Sequence, residues 1–131
     1  MATRVKLTTK GFEPFMEQIA SMGKDLDMIT DRALMAGGQV LLDGMRRRAP
    51  ELTGKLKDSL VIDGPHQDGN FHFILVGMPR SAGADVARYG NAQEYGTSSM
   101  AAQPYLRPTL DEDKRKAGAI MKKIFIEELK P

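Results

Sequence analysis

Ser59-Leu60-Val61-Ile62-Asp63-Gly64-Pro65-His66-Gln67-Asp68-Gly69-Asn70-Phe71-His72-Phe73-Ile74-Leu75-Val76 is the stretch that decides the fold. Its ends, Ser59–Asp63 and Phe71–Val76, are rich in β-branched and aromatic residues, and between them lies Asp68-Gly69, a pair that primed hairpin turns favour. The spacing predicts an antiparallel hairpin joined through Gly64–Asn70. Long helical patterns flank it on both sides. The chain therefore reads as α+β: a small antiparallel sheet with a central hairpin, packed against two long helices and one short N-terminal helix.

Upstream, Val5-Lys6-Leu7-Thr8 alternates with period two and predicts a short strand stopped by Lys10-Gly11. Apolar residues at Phe12, Phe15, Met16, Ile19, Ala20 and Met22 share one helical face, with Pro14 tolerated in the first turn and Gly23 ending the segment. Asp25 or Asp27 then caps a long helix over Met28–Arg48, whose apolar stripe carries Ile29, Ala33, Val40 and Leu41. Gly37, Gly38 and Gly44 each cost such a helix about 1 kcal/mol relative to alanine, so another element must approach closely there. The narrow face Ala33-Gly37-Val40-Gly44 fits either a subunit contact or packing against the protein's own sheet. Met16, Met22, Met28, Met35 and Met45 read mostly as core filling. Past Ala49-Pro50, Thr53 is a candidate cap, and Lys55–Leu60 predicts a helical turn or two or a direct lead into the strand.

Downstream, Met78–Asn91 is rich in Gly, Ala, Pro and Arg without sustained periodicity, and it reads as a loop enclosing a short strand or helical turn around Val86–Tyr89. Gln93–Pro108 reads as a rigid connector that is neither strand nor helix. Glu94-Tyr95-Gly96-Thr97 suits a strand end that turns sharply, Met100-Ala101-Ala102 offers small apolar contacts, and Gln103-Pro104-Tyr105-Leu106-Arg107-Pro108 sets two anchors between prolines. Glu94, Gln103 and Arg107 are polar groups to be satisfied within the fold or across a subunit boundary. A second long helix is expected from Pro108, with Asp111, Glu112 and Asp113 in its first turn and Lys122, Lys123 and Lys130 toward its end. Leu110, Ala117, Ile120, Met121, Ile124, Phe125 and Leu129 form its apolar face.

The chain has 131 residues, which suits a single domain, 1–131, with a real core. Nineteen basic and seventeen acidic side chains leave a formal charge of +2, so no global field drives nonspecific nucleic-acid binding. Cysteine is absent, which removes disulfides, thiolate metal sites and a thiol nucleophile. No apolar run approaches the ~20 residues of a membrane span, and Met1–Lys10 has no signal-peptide core. The chain is expected to be made and used as a soluble protein with no membrane partner.

Catalytic patterns are missing as well. No serine sits in a Gly-x-Ser-x-Gly elbow, and no phosphate-cradling glycine loop occurs. His66 and His72 flank the hairpin turn near Asp63 and Asp68, but two histidines without a third ligand read as solvated turn side chains rather than as a metal site. No enzyme activity, metal or cofactor is expected. Arg46-Arg47-Arg48, followed by Lys55 and Lys57, is the one dense basic run; it can meet phosphate or an acidic protein, or it complements the carbonyls at its own helix C-terminus. A small nucleic-acid-binding protein using Arg46–Arg48 is therefore the alternative reading.

The pattern Glu94-Tyr95-Gly96-Thr97-Ser98-x-Met100-x-Ala102-Gln103-Pro104-Tyr105-Leu106-Arg107-Pro108, preceded by Ala49-Pro50-x-x-Thr53-Gly54-x-Leu56-x-x-Ser59, resembles the gene-product-ten-like tail-component, or tail-completion, proteins of long-tailed bacteriophages. The resemblance spans roughly residues 28 to 129. It implies a non-enzymatic α+β structural protein of the virion, assembled in the host cytoplasm into a ring, commonly sixfold, at the head-proximal end of the tail. The implied partners are further copies of itself, a tail terminator or tail tube protein, head-tail connector proteins, and DNA passing through the lumen. Arg46, Arg47, Arg48, Arg88, Tyr89, Glu94, Tyr95, Gly96, Thr97, Met100, Gln103, Tyr105 and Arg107 are the expected subunit or partner interface. The Met78–Asn91 segment and the connector form one side, and the first long helix or its basic end contributes to the other.

Overall fold

The computed structural model describes residues 4–49, 55–69, 71–79, 83–99, 101–102 and 104–130. In chain order these form β1 (Arg4–Thr8), α1 (Glu13–Ser21), α2 (Leu26–Arg48), α3 (Lys55–Ser59), β2 (Val61–Asp68), β3 (Phe71–Gly77), α4 (Ala84–Tyr95) and α5 (Leu106–Leu129). Helices and a three-stranded antiparallel sheet make the fold α+β, as expected. The sheet order is β1-β3-β2, so β3 is the central strand.

The hairpin is present, but its connection is shorter than the sequence suggests. β2 continues to Asp68, which pairs with Phe71, and a register shift between Asp63 and His66 absorbs Gly64-Pro65. A bulge places an extra residue without ending a strand, which is how a Gly-Pro pair sits inside one. Gly69, with φ 61°, takes the left-handed conformation that an Asp-Gly turn needs. Ser59 and its upstream neighbours form the helical turn α3 rather than the start of the strand.

One face of the sheet packs on α2. Ile74 and Val76 of β3 are buried, and their partners Leu7 and Val5 on β1 share that face. α5 lies along α2 in the largest contact between elements. The glycines of α2 make both approaches possible. A Cβ on Gly38 would lie 2.3 Å from Ile74 Cδ1; on Gly37, 2.9 Å from Met121 Cγ; on Gly44, 2.0 Å from Asp113 Oδ2. The close approach is thus made within the chain, against the sheet at Gly38 and against α5 at Gly37 and Gly44.

Asp25 caps α2 by accepting from the backbone N–H of Met28 at 3.2 Å, which starts the helix at Leu26. Ile19 is buried on α1, yet Ala20 and Met22 of the expected apolar face are exposed: Ala20 is turned one position round the helix from Ile19, and Met22 falls past the last helical residue, Ser21. Core filling fits Met45, at 0% exposure, but not Met22, Met28 or Met35, which are 43%, 61% and 38% exposed.

The Met78–Asn91 loop expectation is corrected: Ala84–Tyr95 is a twelve-residue helix. Its glycines and small residues hide the helical period, while tertiary contact supplies what propensity does not. Gly90 shows the reason for a small residue, since a Cβ there would lie 2.3 Å from Met78 Cε and 3.0 Å from the Tyr105 hydroxyl. Gln93-Glu94-Tyr95 is consequently helical and not a strand end, and Gly96, with φ 77°, closes α4. α5 starts at Leu106, so Pro108 is its third residue, where the missing N–H costs nothing. That start puts Asp111–Asp113 in the second turn and leaves no acidic residue in the first. Leu110 is 40% exposed instead of joining the apolar face. The described buried stripe is Leu106, Thr109, Asp113, Ala117, Met121 and Phe125.

Candidate functional site

The first turn of any helix has backbone N–H groups with no partner inside the helix. In α5 they are supplied by Glu94, from the last turn of α4. Its carboxylate accepts from the N–H of Tyr105 at 2.9 Å and of Leu106 at 2.5 Å through Oε1, and from the N–H of Arg107 at 3.4 Å through Oε2. Arg107 closes the clasp: its Nε donates to Glu94 Oε2 at 2.9 Å and its Nη2 to the Glu94 carbonyl at 2.7 Å. A negative group at a helix N-terminus also meets the positive end of the helix dipole. Glu94 is 1% exposed, so this charge is held inside the protein by its partners alone.

Around the clasp, Tyr105 is fully buried and its carbonyl accepts from Thr109 Oγ1 at 2.6 Å. Burial, and then the neighbouring Glu94 charge, push the Tyr105 phenol well above its ordinary range. Arg107, 57% exposed along its side chain, lies over the Tyr95 ring at 5.5 Å. Tyr95 is itself 41% exposed. Thr97 is exposed and its hydroxyl accepts from the Ser99 N–H at 3.3 Å. Arg88 points to solvent, and Tyr89 is half-buried against the core. Met100, Gln103 and the Thr53 cap lie outside the described residues.

The arginine triplet is not one outward cluster. Arg48 Nη1 lies 2.7 Å from Asp113 Oδ2 and 3.1 Å from Thr109 Oγ1, and its Nη2 lies 2.6 Å from Glu112 Oε2. The Arg48 hydrogen bond holds the Asp113 carboxyl below its usual range, and Asp113 in turn raises Arg48. Arg46 donates to the Leu60 carbonyl at 3.1 Å. Arg47 is 61% exposed and only brushes Asp113 at 3.4 Å. A nucleic-acid surface built on this triplet would have one outward arginine of the three.

The histidines do not converge. His66 faces Phe73 across the sheet and lies 2.8 Å from Asp63, whereas His72 is buried on the inner face between Asp31 at 2.9 Å and Asp27 at 3.1 Å. His72 is therefore not a solvated turn side chain, because alternation along β3 turns it toward α2. Among the described residues no group of three His, Cys, Asp or Glu side chains is placed to hold a metal ion, and no helix is long and apolar enough to cross a membrane. Asp113 is the site residue that sequence reasoning passed over. Its signal was present: an acid in the middle of the buried i, i+4 stripe of α5 needs a cation, and Arg48 is that cation.

Residues 13–96 match the family model described as "Bacteriophage HK97-gp10, putative tail-component". No curated protein and no solved structure matched the chain. The matched segment takes in the Ala49–Ser59 motif and Glu94, and it ends at Gly96, before the residues that Glu94 holds.

Proposed function

The chain belongs to the HK97-gp10-like family of bacteriophage tail components, and on that premise we propose that it acts in tail completion and head-to-tail joining as one subunit of a ring at the head-proximal end of the tail. The observation that carries this reading is the Glu94 clasp. A subunit that docks by shape gains when its surface is set before the partner arrives, since ordering a loop on binding is subtracted from affinity. Glu94 fixes α4 to α5, and Tyr95, Thr97 and Arg107 are exposed on that support, with Gly96 half-buried between them. In this reading Arg88 and the exposed part of the connector meet an axial neighbour, a tail terminator, tail tube or connector protein, and Arg47, exposed at the end of α2, contributes to the other surface. Sixfold symmetry is the form the ring takes here, with DNA passing through its lumen.

Electron microscopy of particles from a phage lacking this gene tests the role. Separate filled heads and finished-looking tails are expected. Intact, infectious virions would refute it.

A further inference from the structure

We propose that successive copies of the chain join head to tail, the outer stripe of α5 on one copy seating in an acid-rimmed apolar groove beside α1 on the next. The inference deepens the ring reading and rests on it for its biological setting.

The groove, about 410 Å³, is floored by Met16, Ala20, Leu26 and Phe71 and edged by Glu13 and Glu17. Phe71 is 51% exposed, so half of its apolar surface is left uncovered by the described residues. Glu17 forms no hydrogen bond or ion pair among the described residues; Glu13 accepts only from the Gly11 N–H, at 2.7 Å. Lys6 and Lys10 lie on the other side of Phe71, in a separate cleft that also contains Asp68.

The opposite surface lies on α5. Arg115, Ala119, Lys122 and Ile126 recur at i, i+4, i+7 and i+11, with Lys116 and Lys123 beside them, and all six are exposed. None of Arg115, Lys116, Lys122 and Lys123 has an ion-pair partner among the described residues, although the chain as a whole carries only +2. Ile126 is 38% exposed on a helix otherwise well buried on its other side. The stripe faces away from Ala117, Met121 and Phe125, and α1 packs on α5 through Phe12, 5.3 Å from Phe125. A chain therefore cannot lay its own stripe in its own groove.

The chemistry of the two surfaces corresponds. Lysine and arginine stems add apolar area beside Ala119 and Ile126 while their charged ends reach the rim. Charge complementarity of this kind orients a contact and speeds its formation. Alternating apolar residues favour a protein partner over a phosphate backbone, which offers nothing to Ala119 or Ile126. The two surfaces differ, so the contact is heterologous, and repetition closes a ring when the rotation permits. A standard interface uses about 800 Å² per partner, which is near a tenth of the 7756 Å² surface of the chain.

The test is a charge swap on the full chain. One variant carries Glu13→Lys and Glu17→Lys, the other Lys122→Glu and Lys123→Glu, and circular dichroism verifies that both fold. Sedimentation at low salt is expected to show the wild type associating, each variant alone weakened about tenfold or more, and an equimolar mixture restored, since each variant keeps the surface that the other now complements. Wild-type chains that stay monomeric up to about 1 mM, the weak end of specific association, overturn the proposal. So does a mixture no stronger than its components. Loss of duplex-DNA binding by the lysine variant with self-association unchanged overturns it too, in favour of nucleic acid. The mixing result is independent of the virion phenotype: intact virions without the gene would remove the assembly role and leave this contact standing.

Discussion

Replacing Glu94 by alanine separates the clasp from ordinary packing. The substitution removes the acceptor for the N–H groups of Tyr105 and Leu106, both buried, and the charge partner of Arg107. Each buried N–H left unsatisfied costs about 1–3 kcal/mol, and breaking a buried ion pair costs about 3–5 kcal/mol in all. These are overlapping accounts of one loss, so Glu94→Ala is expected to destabilise by about 3–4 kcal/mol. That is a large share of the ~5–15 kcal/mol of a typical domain. Glu94→Gln keeps an acceptor oxygen for the N–H groups of Tyr105 and Leu106 but loses the charge and turns a donor amide toward the Arg107 N–H and Nε, for about 2 kcal/mol. Arg107→Ala leaves the Glu94 carboxylate buried with its three backbone donors but without its cation, for about 1–3 kcal/mol. Urea unfolding followed by far-ultraviolet circular dichroism gives the order: alanine lowest, with the glutamine and Arg107 variants between it and wild type. A Glu94→Ala midpoint within 1 kcal/mol of wild type would refute the claim that this carboxylate starts α5.

The remaining predictions concern α2 against α5. Gly44→Ala drives a methyl to 2.0 Å from Asp113 Oδ2 and displaces the carboxylate from Arg48, so it should cost about 2–4 kcal/mol, whereas Gly118→Ala, with open space around it, should stabilise by about 0.5–1 kcal/mol; thermal melts of the pair decide. Arg48→Ala leaves Asp113 buried without its main partner and should cost about 3 kcal/mol, while Arg47→Glu should change stability by about 1 kcal/mol at most and is the variant in which an assembly defect reports on a surface. Asp113 has its folded pKa depressed below the ordinary 3.8, so its contribution is present above that value and is lost as pH falls through the lower folded one. Wild type should accordingly weaken on going from pH 5 toward pH 2, with Asp113→Asn less stable at neutral pH and flatter across that acid range by urea midpoint.

Secondary elements with strong periodicity were legible in the sequence. The hairpin, α1, α2 and α5 follow from alternation or from apolar spacing, and Asp25 and Gly23 mark real ends. α4 was not legible, because Gly90, which breaks its helical pattern, is required by close contact with Met78, Tyr105 and Leu56, residues distant in sequence. For the same reason Glu94 read as part of a turn: a carboxylate that caps a different helix leaves no local mark, unlike an N-cap three residues from its donor. The arginine triplet misled in the opposite way. A helix-end cluster looks solvated or partner-facing until the acid on the facing helix is known, and Asp113 lies 65 residues away from Arg48.

Three polar fastenings hold α5, and their placement bears on what the helix can do. Glu94 grips its N-terminus, Arg48 holds Asp113 and Glu112 in the second turn, and Lys24 and Arg32 hold Glu128 near the C-terminus, with Arg32 Nη2 2.6 Å from Oε1. The Arg32 hydrogen bond, the largest of several influences, draws the Glu128 carboxyl below its usual range. Apolar burial through Ala117, Met121 and Phe125 fixes which face turns inward, but alone it tolerates sliding of one helix along another. Ion pairs at three heights remove that freedom, because a shift of one turn, about 5.4 Å, would break all of them together. Arg115, Lys122 and Ile126 are thereby held at fixed positions relative to the groove on the other side of α1. If α5 is loosened at one end by Glu94→Ala under conditions where the chain remains folded, self-association should weaken although the substituted residue is buried and touches neither surface. Unchanged association in that variant would show that the outer stripe does not depend on the registration of the helix that carries it.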